Sequence, residues 1–511
     1  MRKTIGVLGQ VGLVKDQQPE ELPGNAWSDS RNVRFSNGNA QRFQGHSAIF
    51  DPPSGIPRFL QPLEKTDGTK FWIYPTLTTI YAHNGTGETD VTGTTCTGSA
   101  SDKWTGGVIA GQAILNNGID PPQFWNGDTA TNFATLTGWQ AAQTCKSMRV
   151  YRNYLVAMNV TKSAVNYPHM VKISDAADPG AVPLTWVPAN TNDAEERDLA
   201  ETPGYGVDSL ALGDIQILYK TDSYYGLQFT GGELVFRTWL ISNRYGMLSQ
   251  NCAAEFPGGH IVLGAGDVYT HSGGAPTSIL EGRMKQWLFS QIDTDYRHLC
   301  FVVANPRKSE AWICYPDLGS TSCTSALVWN WKDDTFAVRD LPNVYHGNTG
   351  RVAFTATDTW EADSTTWEAD NTIWDASDFS QAETRLLMCS ADTKNYIFDQ
   401  GYDFGSTTTT RCYIERQGLA FDDPWIQKTL ASLFLRLDAS DNTVFSVYIG
   451  AQQQSTGSVT WKPVITYTKG TSLKADGFVT GRFIAIRIEC TTATAWRLRS
   501  YDAEYELGGM Y

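Results

Sequence analysis

The sequence predicts an all-β protein. A β-propeller-like body is preceded by an extended N-terminal arm with a hairpin and followed by an antiparallel β-sandwich-like region. Three observations carry this. Aromatic residues are 12% of the 511, and strands are where Trp, Tyr and Phe concentrate. The 46 glycines and 21 prolines supply many turns. Helical periodicity is scarce, whereas short apolar runs divided by turn clusters recur along the chain. The expected organisation is an arm over 1–55, a body over 56–405, and a sandwich or closing blade over 406–511.

In the arm, Pro19 and Pro23 fix φ on either side of Leu22 and favour an extended approach. Asn32-Val33-Arg34-Phe35 and Ala40-Gln41-Arg42-Phe43 then flank Ser36-Asn37-Gly38-Asn39. Asn-Gly tolerates positive φ, so this is a hairpin signal. Residues 26–43 are expected to bond to the body or to a neighbouring subunit, because an open sheet edge invites aggregation. Trp27, Arg34 and Arg42 are candidate interface residues. Arg2-Lys3 before the apolar run 5–14 has only a faint likeness to a signal peptide. Three glycines and Gln10 dilute that run, and no small-residue cleavage site follows.

Strands are expected in the body at 70–74 and 79–83, then at 108–115, 150–160 and 210–220. Asn116-Asn117-Gly118-Ile119-Asp120-Pro121-Pro122 breaks the third run. One pattern recurs. Ile217-Leu218 is followed by Asp222 and Tyr224, and Val262-Leu263 by Asp267 and Tyr269 at the same offsets, with Gly231-Gly232 and Gly273-Gly274 coming after. Leu387-Met388 with Asp392 and Tyr396 is a looser third copy. Each reads as a buried strand, an Asp turn and a second strand carrying Tyr. The first two lie one four-stranded blade apart, and the third leaves the blade count open. Residues 279–293 show the best one-face helix, with apolar positions 280, 284, 287, 288 and 292. The polar stretch 190–199 reads as a surface excursion.

Residues 358–378 form an acidic insertion in which Trp360, Trp367 and Trp374 recur every seven residues among seven carboxylates. Thr, Asp, Ser and Asn are poor helix formers, so short strands fit better than a helix. The bland reading is a loop whose tryptophans pack on their own domain. The functional one is a docking tip, since Trp anchors within a polar rim concentrate interface energy. Beyond a Gly/Ser/Thr stretch at 401–410, strands are expected at 430–437, 443–449, 459–467 and 483–490.

The bulk numbers exclude several functions. A net charge of −14 argues against tight nucleic-acid binding, which needs basic groups to neutralise phosphates. It suits a wall that DNA slides past. The nine cysteines are scattered with no CxxC, so neither a zinc site nor a disulfide framework is indicated, and buried free thiols are expected. The seven histidines form no HExxH, and neither a G-x-S-x-G elbow nor a Walker loop occurs. No stretch approaches 18 apolar residues. Residues 455–461 lack the Asp of the Ser-x-Asp-x-Gly-x-Thr-Trp turn that sialidase-like propellers repeat. No enzyme activity, cofactor or metal is expected.

Several of these stretches, in order, resemble tail nozzle or hub proteins of short-tailed bacteriophages, the tail-tubular-protein-B-like family. At the start they are Leu22-Pro23, Ala26-Trp27-Ser28, Asn32-Val33-Arg34-Phe35 and Arg42-Phe43-Gln44-Gly45. In the middle the likeness lies in residues 116–127. At the end it lies in Gly481-Arg482-Phe483, Ile486-Arg487-Ile488, Trp496-Arg497-Leu498 and residues 501–505. Each motif is short, and their order carries the weight. The resemblance implies a structural virion component, assembled in the host cytoplasm, forming a homohexameric ring of the DNA-ejection conduit. Its partners would be an adaptor ring above, tail fibres or a tail needle, and passing duplex DNA held without tight binding. The competing classes are a carbohydrate-binding or -cleaving propeller of a phage tail and a host-side propeller scaffold.

Overall fold

The computed structural model describes residues 1–232, 234–352, 384–405, 411–421, 423–455 and 457–510. Its fold class is all-β. Five four-stranded antiparallel meanders follow one another. Sheet 1 is Gln61–Glu64, Lys70–Pro75, Ile80–His83 and Glu88–Asp90, and sheet 2 is Thr105–Ile109, Gln112–Asn116, Gln123–Trp125 and Ala134–Thr135. Sheet 3 is Gln143–Tyr151, Tyr154–Lys162, Val165–Ile173 and Glu195–Asp198. Sheet 4 is Gly206–Leu212, Ile215–Lys220, Tyr224–Phe229 and Phe236–Ser242. Sheet 5 is Ala253–Phe256, Gly259–Leu263, Val268–His271 and Thr277–Ser278.

A seven-stranded sheet ends the series: Phe301–Asn305, Glu310–Tyr315, Cys323–Asn330, Thr335–Arg351, Thr384–Ser390, Lys394–Phe398 and His46–Ile49. The long strand Thr335–Arg351 pairs near its start with Cys323–Asn330 and near its end with Thr384–Ser390. The sheet therefore divides into two four-stranded groups, 6 and 7, that share one strand. Group 7 takes its outermost strand, His46–Ile49, from the N-terminal region, which covers the edge of Lys394–Phe398.

Gly12–Leu13 and Ala26–Trp27 form a short parallel pair, and the remaining strands form two six-stranded sheets. One contains Ala475–Gly481, Ile426–Ala439 and Trp496–Met510, extended by Asn39–Arg42 and Val33–Ser36, with Arg2–Gly6 also on Trp496–Met510. The other contains Val444–Gln452, Phe483–Cys490 and Cys412–Leu419, with Asp29–Arg31 at one edge and Thr460–Trp461 and Ile465–Thr468 on Val444–Gln452. Their buried faces, such as Leu430, Leu433, Tyr501, Val447 and Ile486, belong to the same apolar cluster as Ile261, Trp312 and Phe336 of the body. One core runs through both regions. All nine cysteines are free and buried.

The hairpin forms as the residues dictate, though its turn is tighter than four residues. Val33–Ser36 and Asn39–Arg42 are joined by Asn37 and Gly38 alone, with φ of 47° and 73°. That is the two-residue primed turn whose twist matches the strands. Elsewhere apolar continuity hides turns. The runs 108–115, 150–160 and 210–220 are each hairpins, turned at Ala110-Gly111, Arg152-Asn153 and Gly213-Asp214. Ala110, Arg152 and Gly213 take positive φ there. The polar stretch 190–199 supplies the fourth strand of sheet 3, Glu195–Asp198.

The helix is half the expected length. It spans Lys285–Gln291, because Gly282 at φ +68° and Met284 at φ −140° break the preceding turns. The apolar face survives: Leu280, Met284, Leu288 and Ile292 are buried. The recurring pattern falls each time on the second-to-third-strand hairpin of its unit, in sheets 4 and 5 and in group 7. Group 6 lies between the last two copies and lacks it. This explains their wide separation in the sequence. Among the described residues no helix is long and apolar enough to cross a membrane.

Candidate functional site: the polar hub and its two clefts

The first strands of the successive units meet at a hydrogen-bonded hub. Arg149 of sheet 3 donates to Asp208 of sheet 4 through Nε at 2.8 Å and Nη2 at 2.6 Å. It also donates to Gly106 O of sheet 2 at 3.2 Å and to Asn251 Oδ1, just before sheet 5. Asn251 returns bonds from its N–H to Asp208 at 3.0 Å and from Nδ2 to Trp104 O at 3.0 Å. Lys103 donates to Gln250 O at 2.5 Å and to Cys300 O, the entry to group 6, at 2.6 Å. Leu60 N–H reaches His346 Nδ1 at 3.3 Å, and Asn348 Nδ2 reaches Leu60 O at 3.1 Å. Sheet 1 thereby bonds to the strand shared by groups 6 and 7.

Burial pushes the Asp208 carboxyl up, but Arg149 and the bonds from Asn251 and Ser147 outweigh it and hold the pKa below the usual carboxylate range. Lys103 is spent on carbonyls, and burial drives His346 well below its ordinary value. These groups satisfy one another and tie strands together. Nothing in the hub pairs a nucleophile with a free base.

Two clefts flank it. The strand Gly206–Leu212 begins in one, with Gly206 and Val207, and runs into the other from Asp208 onward. The first holds about 560 Å³ and is lined by hydroxyl, amide and charged side chains, among them Asn117, Lys146, Asn159 and Arg297. The second holds about 780 Å³ and includes Phe59, Phe256 and Val302 beside Arg149 and His346. Met247 lines both, so the core between them is filled. Among the described residues no group of three His, Cys, Asp or Glu could hold a metal ion.

Three of the six candidate interface residues turn inward. Trp27 is 1% exposed and its indole N–H donates to Leu8 O at 2.8 Å. Arg42 is buried and donates to Thr492 O and Tyr402 O. Arg34 is buried with Glu310 and Asp399, donating Nη2 to Glu310 Oε2 at 3.0 Å and to Asp399 Oδ1 at 2.9 Å. Burial raises the Asp399 carboxyl, but Arg34, Arg339 and Lys308 outweigh it and hold the pKa near about 2. Burial pushes Arg339 down to about 10 among the rings of Phe43, Trp312, Phe398 and Phe404. These arginines staple the N-terminal hairpin into the body. Within the single chain Trp27, Arg34 and Arg42 are interior groups. Trp360, Trp367 and Trp374 lie outside the described residues.

A second buried network went unread in the sequence. His260 Nε2 lies 2.7 Å from Ala211 O and must donate there, so its Nδ1 accepts the Tyr219 hydroxyl at 2.8 Å. Tyr219 in turn accepts from His271 Nε2 at 2.6 Å, and His271 Nδ1 accepts Gly273 N–H at 3.2 Å. Both imidazoles are therefore neutral, and burial holds them at about 4 for His260 and about 3 for His271. For the hub the sequence carries no clear signal, since Arg149 lies in a strand that begins Gln143-Thr144-Cys145-Lys146-Ser147.

The fold and the site define a class: an all-β protein with a propeller-like body, an interwoven sandwich and a polar hub between two clefts. No protein-family model matches the chain, and no curated protein matches it in sequence.

Proposed function

We propose that this chain is a structural component of a short bacteriophage tail, a nozzle or hub subunit of the DNA-ejection conduit in the virion. The observation that carries the proposal is the ordered resemblance at both ends and in the middle of the chain. The interwoven arm supports it. The motif residues Arg34 and Arg42 join the first fifty residues to Glu310 and Tyr402, hundreds of positions away, as a part that must bear load requires. The filled hub means that duplex DNA would pass between copies arranged in a ring, and not through one chain. Such a ring is a homohexamer in this reading, carried by an adaptor above and contacted by tail fibres or a needle, with no catalytic role.

The test is to locate the protein in intact particles by electron microscopy, alongside its native mass. Six copies at 56.4 kDa give 338.4 kDa. Density on the tail axis below the portal is the expected result. Off-axis density, attached like a fibre or spike, overturns the conduit reading.

A further inference from the structure

The first cleft contains a set of free valences. Asn159 sits at a β-bulge, where the pairing of Tyr154–Lys162 with Val165–Ile173 shifts between Met158 and Val160. Its backbone is left-handed at φ 55° and its side chain is 6% exposed. Bulges and strained residues of this kind gather at functional sites. Asn159 Nδ2 donates to Gly206 O at 3.3 Å, which fixes the amide orientation, and Oδ1 is left without a donor. A buried acceptor without a partner is costly.

Around it, Lys146 is half-buried and Arg297 exposed, and neither cationic group has a partner among the described residues. Lys103 donates to carbonyls, and Asp102 and Asp222 accept from the Ser99 and Thr221 hydroxyls while keeping their charge, so Lys103, Lys146 and Arg297 outnumber the two carboxylates of the lining. Tyr205 stands at the rim, 53% exposed.

We infer that this cleft binds an acidic saccharide. A sugar hydroxyl supplies the donor that Asn159 Oδ1 lacks. A carboxylate on the sugar answers Lys146 and Arg297, which stand out in a chain of net charge −14. The C–H face of the ring packs on Tyr205. Inorganic phosphate alone brings charge but no apolar face. A nucleotide also brings charge and a flat ring, so AMP stands in the test as the competing outcome. The volume suits one or two sugar rings. The inference is independent of the tail assignment, since either can fail alone.

The test is saturation-transfer NMR on the full chain with digalacturonate, cellobiose and AMP, each supplied separately, and with inorganic phosphate added to digalacturonate as a competitor. Digalacturonate is expected to give transfer to its ring C–H protons. Tyr205→Ala and Lys146→Ala should each weaken binding about tenfold, with circular dichroism unchanged. Cellobiose should bind at least about tenfold more weakly than digalacturonate. No transfer to digalacturonate in the folded wild-type chain overturns the inference. So does equal binding of cellobiose, competition by phosphate alone, tighter binding of AMP, or indifference to both substitutions. The wild-type comparisons decide the matter even where a variant fails to fold.

Discussion

Removing the Arg34 guanidinium would leave Glu310 and Asp399 buried around an empty space, with Asn305 and Trp312 still aimed at them. A buried carboxylate stripped of its partner is worse than no charge at all. Arg34→Ala should therefore destabilise the protein by about 3–5 kcal/mol, read as a lowered denaturant midpoint. Arg34→Lys should recover only part of this, because an ammonium cannot bridge two carboxylates as a planar fork does. A shift below about 1 kcal/mol would show that the pair is dispensable. The buried histidines add a pH dependence. His260 and His271 stay neutral in the folded chain down to about 4 and about 3, but titrate at their ordinary value when unfolded. The unfolded state thus takes up protons first. Stability is full above about pH 6.5 and falls as pH drops towards 4, by about 2 kcal/mol per histidine at pH 5. His46, held near about 3 by burial and by neighbouring Arg339, adds to this. Thermal melts between pH 7.5 and 5 should show the decline, and Tyr219→Phe with His260→Gln should blunt it. A flat profile would refute the neutral assignment.

Among the elements, the N-terminal strands stand out for what they cover. Arg2–Gly6, Asp29–Arg31, Asn39–Arg42 and His46–Ile49 each pair with a strand from the last third of the chain. Deleting residues 1–50 would expose edges in three sheets at once. Exposed edges template aggregation. The truncated chain is expected to be insoluble on expression, and a soluble monomer with an intact near-ultraviolet spectrum would show the arm to be an accessory. The recurring hairpin pattern has its own physical basis. Two of its tyrosines bond outward to neighbouring loops, Tyr224 to Gly274 O at 2.8 Å and Tyr269 to Gly246 O at 3.2 Å. Tyr224 thus reaches forward and Tyr269 back, whereas Tyr396 of the third copy bonds Asp392 within its own hairpin.

At the scale of the whole molecule, charge decides what can pass beside it. A ring of acidic chains presents a repulsive wall to DNA, and screening confines that repulsion to about 8–10 Å. No duplex binding is therefore expected at about 150 mM salt. Filter binding with a micromolar or tighter constant under those conditions would contradict the conduit proposal, because tight phosphate contacts would stall a sliding duplex.

What the sequence determined by itself was local. Asn37-Gly38 can close a primed turn in any context, and so the hairpin was legible. Composition and period gave the all-β class, and the scattered cysteines pointed to free buried thiols, as they are. The buried face of the short helix was legible too, while its length was not, since Gly282 broke it from within. Only tertiary structure decided where distant strands pair. That Thr335–Arg351 serves two groups, or that His46–Ile49 joins group 7, depends on edges created outside each strand's own segment, for His46–Ile49 by the distant Lys394–Phe398. The same holds for the site. Arg34 reads as a surface cation until Glu310 and Asp399 enclose it, and Asn159 reads as one polar residue in a strand until a bulge turns it towards the cleft. Periodicity reports which face is apolar. It carries no record of which polar groups the fold will shut in together, because that depends on long-range packing and not on neighbours in the chain.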